Sequence, residues 1–166
     1  MSWIDQVGLP LLIRLFLVVL FPFSAMDKIF NWEGALKQAN SSFLPGGPVL
    51  LVLGMSLELI GPACILSGWH DRLAAFLLAA YCVVTALLYH TFWAYPDFWV
   101  KGDSVARTHF WDFLKNLGVA GGMLLLAFSA QLAPARAVVA HPLSSTPVYT
   151  PAGTAAALPS SAGEAR

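Results

Sequence analysis

The chain has 166 residues, of which 58% are hydrophobic and 11% charged, with a formal net charge of zero at pH 7. A soluble domain carries roughly 45–50% apolar and about 25% charged residues, and a chain this short buries only about 70% of its unfolded surface, so the surplus of Leu, Val, Ala and Phe requires lipid as its solvent. Scattered basic residues at zero net charge exclude a nucleic-acid partner, which needs a basic stripe.

The first apolar run covers residues 8–26. The stretch from Ser2 to Val7 has no basic residue, and no small-x-small site precedes Asp27-Lys28, so the run is read as a retained span rather than a cleaved signal. After it, Trp32, Ala35, Leu36, Ala39 and Phe43 recur at a spacing that predicts a short interfacial helix ended by Pro45-Gly46-Gly47. A second run covers 48–67 and, beyond a tight turn at Gly68–Arg72, a third covers 73–93. The connection 94–115 mixes aromatics with Asp97, Lys101, Asp103, Arg107, His109 and Asp112, which predicts an ordered surface segment suited to contact a partner.

A fourth run covers 116–133. Each run has about 20 residues, enough to cross roughly 30 Å of hydrocarbon. All six tryptophans, Trp3, Trp32, Trp69, Trp93, Trp99 and Trp111, lie at run ends or in connections, where an indole keeps its ring in apolar surroundings and its N–H wet. Residues 1–133 are thus expected to form an all-α, integral membrane four-helix bundle with both termini on one side. Residues 134–166 turn to Ala, Pro, Ser and Thr with little charge, a composition that packs no core. That tail is expected to be disordered unless a partner holds it.

Ionisable groups inside spans cost at least about 2.5–3.5 kcal/mol, so each needs a partner, water or a function. Counted at 1.5 Å per residue, Arg14 lies about 9 Å in from the terminal side and Glu58 about 15 Å in from the other. A bidentate Arg14–Glu58 pair is predicted, serving either helix register alone or ligand binding. Gly54, Glu58 and Gly61 share one face of the second span, and Gly118 and Gly122 form a GxxxG in the fourth, with Lys115 on the same face and therefore pointing inward. Pro62 is expected to kink or loosen the helix past Glu58.

A second polar group, Lys28, His90, Asp112, Lys115 and Asn116, gathers toward the opposite membrane surface. His90 reads either as a hydrogen-bonded interface residue, within reach of His109, or as a ligand-binding group, and Lys28 as a snorkelling cation. Cys64 and Cys82 lack CxxC spacing and read as small buried hydrophobes. His70 and His141 are assigned no chemistry, and no pair of histidines has metal-site spacing, so neither a metal nor a covalently bound cofactor is expected.

Several segments resemble the DoxX family of small four-span bacterial membrane proteins. Ser24-Ala25-Met26-Asp27-Lys28-Ile29 is similar to its Gly-x-x-Lys-Leu ending of span 1, without the Gly and without the His that often precedes the Lys. Leu44-Pro45 precedes span 2. Gly54-x-x-x-Glu58-Leu59-x-Gly61, then Gly68 and Arg72-x-x-Ala75, resemble the Glu-bearing second span and the turn after it. His90 matches the end of span 3, and Phe113-Leu114-Lys115-Asn116-Leu117 with Gly121-Gly122 matches the start of span 4.

The resemblance implies a bacterial inner-membrane protein belonging to redox assemblies, such as subunits linked to quinol oxidase or thiosulfate:quinone oxidoreduction and complexes that protect against oxidative stress. Its leading form is an accessory subunit in which Arg14, Glu58, His90, Lys115 and Asn116 line a quinone-sized pocket or proton path, alongside other membrane or peripheral subunits in the bilayer. The alternative is a structural or assembly subunit without ligand chemistry. A pocket reaching Glu58 favours the first and dry packing there the second.

Overall fold

The computed structural model describes residues 4–128, among which there are helices and connections but no strand. The boundary expected at Ala133 and the tail 134–166 lie outside the described residues. A turn of π-helix, Ile4–Gly8, leads into α1 (Leu9–Val18) and α2 (Leu20–Phe30). Pro22 accounts for the interruption at Val19, because proline has no N–H for the carbonyl four residues earlier and crowds it. Val19 N–H still bonds the Leu15 carbonyl at 2.9 Å, so α1 and α2 run as one rod.

That rod ends at Phe30, beyond the expected limit at residue 26. The charged pair does not stop it, because Asp27 accepts from the Asn31 amide at 2.6 Å and Lys28 bends back into the protein. The helix predicted after span 1 is α3 (Trp32–Asn40), with Ala39 buried. Helix α4 (Gly47–Ser67) follows, entered through Gly46 at φ 86°. The tight turn to α5 (Asp71–Tyr89) uses left-handed backbone at Gly68 and His70.

A 3-10 turn at Phe92–Ala94 opens the aromatic connection. Helix α6 (Val105–Phe128) begins well before the expected residue 116, for a local reason. The Asp97 carboxylate accepts from the backbone N–H groups of Val105 at 2.7 Å and Ala106 at 3.1 Å, filling orphan donors at the first turn. Arg107 ties the loop down by donating to the carbonyls of Phe98, Val100 and Gly102.

Desolvation raises the Asp97 carboxyl, yet the N–H groups of Ala106 and Val105 outweigh it and hold the group below its ordinary range. A depressed carboxyl stabilises the fold above its unfolded value and loses that contribution as pH falls through the folded one. Asp97→Ala is therefore expected to speed amide exchange at Val105 and Ala106 at neutral pH. Wild type is expected to show the same loss only on acidification below the usual carboxylate range.

Helix α5 packs against α4 and α6, α4 also receives α2 and α3, and α1 touches α4 and α6. One core results, joining Val18 and Phe21 to Ile65, Leu78, Cys82 and Met123. Cys82 is buried and Cys64 partly so, and both are free thiols. The outer face is apolar, with Phe16, Phe23, Ile60 and Leu125 all more than 60% exposed, a surface that water does not tolerate over such an area. The rod Leu9–Phe30, the helix Gly47–Ser67 and the segment Asp71–Ala94 are each long and apolar enough to cross a membrane.

Candidate functional site

Three helices converge on Glu58. Helix α2 offers Ser24 and Lys28, four residues apart and thus on one face. Helix α4 holds Glu58 between Gly54 and Gly61, and α5 presents Tyr81. The Lys28 ammonium donates to Glu58 Oε1 at 2.6 Å, to Oε2 at 2.8 Å and to Ser24 Oγ at 2.6 Å, using all its protons. Ser24 and Tyr81 hydroxyls donate to Oε1 at 3.1 and 2.9 Å. Glu58 is 2% exposed, so its charge is neutralised and hydrogen-bonded in place, as a buried charge requires.

The glycines around Glu58 make this closure fit. A Cβ on Gly54 would stand 3.1 Å from the Tyr81 hydroxyl, and one on Gly61 would stand 2.8 Å from Leu78 Cδ1. The face predicted for close backbone approach is thus occupied by side chains of α5. Pro62, inside α4, cannot bond the Glu58 carbonyl.

Beside this knot lies a cavity of about 770 Å³, within the roughly 300–1,000 Å³ range of small-molecule sites. Ser24, Lys28, Glu58, Tyr81, Thr85 and His90 supply polar wall, and Asn116 reaches it from α6. Leu20, Leu53 and Val84 supply apolar wall; each is about half exposed or more on the lipid-facing surface. The cavity therefore opens toward the apolar outer face of the helices. Glu58 contributes to the wall of this cavity, although only 2% of the residue is exposed.

His90 ends α5, its backbone N–H bonded to Ala86 at 3.0 Å. Its Nδ1 is buried without a hydrogen-bond partner, as is that of His109. The two rings lie 5.8 Å apart between centroids, as the sequence suggested, and His109 stacks on Tyr95 at 5.1 Å.

Other expectations are corrected. Arg14 does not pair with Glu58: it donates to Asp71 Oδ2 at 2.6 Å and to the Ile65 carbonyl at 3.0 Å. Counting depth separately on two helices neglected their stagger, which sets Arg14 level with the far end of α4 and the start of α5. There Asp71 is the nearer carboxylate. Lys115 points outward, its side chain 72% exposed and paired with Asp112 at 2.9 Å.

Of the predicted packing glycines, Gly122 faces Leu17, but a Cβ on Gly118 would meet nothing within 4 Å. Helix α6 buries Ala106, Ala120, Met123 and Ala127 instead, which turns the Lys115–Gly118 edge away from the core. Of the candidate site residues, Glu58, His90 and Asn116 line the cavity, while Arg14 and Lys115 do not. Sequence reasoning missed Tyr81 and read Lys28 as a snorkelling cation. The available signals were a lone phenol in the middle of an apolar run and the Ser24/Lys28 spacing.

Fold and site define a helical membrane protein with a polar ion-pair knot beside a cavity that opens toward its apolar outer face. The DoxX family model matches residues 9–91, a stretch containing Lys28, Glu58, Tyr81 and His90 but not Phe113–Leu117. The chain is 30% identical over 129 residues to inner membrane protein YqjF of Escherichia coli (strain K12), covering 78% of this chain and 88% of that protein. It is 26% identical over 119 residues to inner membrane protein YphA of the same organism, covering 72% and 81%. The chain belongs to the DoxX family and is an inner-membrane protein. No solved structure matches it significantly.

Proposed function

We propose that the chain is an accessory subunit of a membrane redox complex that holds a quinone-like head group in the cavity beside Glu58. In this reading α6 is a fourth crossing, α3 lies along the membrane surface, and both termini share one side. The observation that carries it is the conjunction of a cavity open toward the apolar outer face with a self-neutralised Lys28–Glu58 pair. Lys28 and Glu58 cancel one another and Asp27, tied to the Asn31 amide, is the remaining charged group of the wall; the mostly apolar remainder suits a largely apolar molecule bearing a few oxygen acceptors.

The residues present fit such a group. Gly54 leaves the space in front of Tyr81 that a side chain would fill, and His90 retains an unused buried nitrogen. A bound quinone would supply the electron-carrying ring, which no residue of this chain provides. Lys28 and Ser24 hold the carboxylate, Tyr81 fixes its orientation, and Thr85 and His90 line the space where an oxygen acceptor would sit. The scaffold alternative draws on the connection between α5 and α6, where Trp99 is 90% exposed on an anchored loop. The cavity at Glu58 argues for the ligand reading.

The test is mass spectrometry of lipids retained by the purified protein in nanodiscs. Wild type is expected to retain quinone, and Glu58→Gln about tenfold less, as losing a hydrogen-bonding network to a charged group implies. Tyr81→Phe serves as the milder second variant. Wild type without quinone, together with a partner complex that survives Glu58→Gln, would replace the pocket reading with the scaffold one.

A further inference from the structure

We propose that Gly34, in the first turn of α3, sets the width of the head group that the cavity admits. This rests on the ligand reading above and deepens it: the site selects among quinone-like molecules by the bulk of their ring substituents. Gly34, Ala35, Gln38 and Ala39 all line the cavity, and residues at these spacings share one face of a helix. Ala39 is buried, whereas a Cβ on Gly34 would meet nothing within 4 Å. The open space in front of Gly34, on the face that α3 turns to the cavity, is therefore part of the cavity.

Neither backbone nor packing accounts for a glycine at this position. Glycine is the poorest helix former after proline, yet Gly34 lies within α3 and is absent from the glycines with positive φ, which are Gly46, Gly68 and Gly102. No neighbour stands close enough to forbid a side chain, in contrast to Gly54 and Gly61, which face Tyr81 and Leu78. What a side chain here would occupy is ligand space. The cavity also has two unlike ends. Along α2 it is lined from Leu20 to Asn31, about 16 Å at 1.5 Å per residue. Leu20 is exposed on the apolar outer face, while Asn31 joins α2 to α3. Helices α2 and α5 run in the same direction, so their last turns share an end, where Asn31, Gln38, His90 and Asn116 supply polar wall. An oxygen-bearing ring belongs at that end, beside Gly34, and an apolar tail leaves past Leu20.

The test is titration of the full chain in nanodiscs with two probes that share a decyl tail: decylubiquinone, with a methoxy-substituted ring, and decylplastoquinone, with a narrower methyl-substituted ring. Wild type is expected to bind both. Gly34→Ala is expected to weaken decylubiquinone about tenfold more than decylplastoquinone, the low end for one added carbon in a fitted pocket, and Gly34→Leu to weaken both by at least that factor. Their unfolding midpoints should equal or exceed that of wild type, because replacing a helix glycine favours the helix. Gly118→Leu, at a position equally open but outside the cavity wall, should leave both affinities unchanged. Wild-type preference in Gly34→Ala, equal losses in Gly34→Leu and Gly118→Leu, or a lowered midpoint for the Gly34 variants overturns the assignment while leaving quinone binding intact. Absence of binding of either probe by wild type overturns both readings.

Discussion

Glu58→Ala is expected to lower the unfolding free energy in mild detergent by about 3–5 kcal/mol, the range for breaking a buried ion pair. Removing the carboxylate leaves the Lys28 ammonium without the two oxygens it touches and strands the Ser24 and Tyr81 hydroxyls. Lys28 is 22% exposed at its side chain and can retreat part of the way toward the surface, which places the loss toward the lower end. Denaturant unfolding followed by helical circular dichroism measures it. The Lys28→Met, Glu58→Leu double variant should recover most of the loss, since an apolar pair needs no compensation there. If Glu58→Ala alone unfolds like wild type, the knot contributes nothing and the pair is not closed in the folded protein.

Gly61→Val should cost about 1–3 kcal/mol, the range for overpacking a core, whereas Gly118→Ala should be neutral or stabilising by up to about 1 kcal/mol from helix propensity. The two glycines read alike in sequence, each four or seven residues from another small residue. They differ in what stands opposite. Leu78 offers Cδ1, Cγ and Cδ2 at 2.8, 3.0 and 3.3 Å to a Cβ on Gly61, and Leu78 is fully buried, so it has nowhere to go. Gly118 faces open space. Equal unfolding midpoints for both variants would contradict this assignment of the α4–α5 contact.

Hydropathy was sufficient to place the helices, because a segment that must satisfy every backbone group within itself in lipid has little choice but helix. Helix ends were less legible. Asp27-Lys28 reads as an exit from the membrane, yet side-chain bonds absorb both charges and α2 runs on. Helix α6 starts where Asp97, eight residues upstream of Val105, folds back to cap it, a contact that no local pattern announces.

The sequence by itself determined a helical membrane protein and the inward role of Glu58 on the face it shares with Gly54 and Gly61. Those follow from the expense of charge in hydrocarbon and from helical periodicity. Which cation reaches Glu58 was decided only by the tertiary structure, because pairing depends on the stagger of two helices, which periodicity leaves free. That stagger gives Lys28 to Glu58 and Asp71 to Arg14.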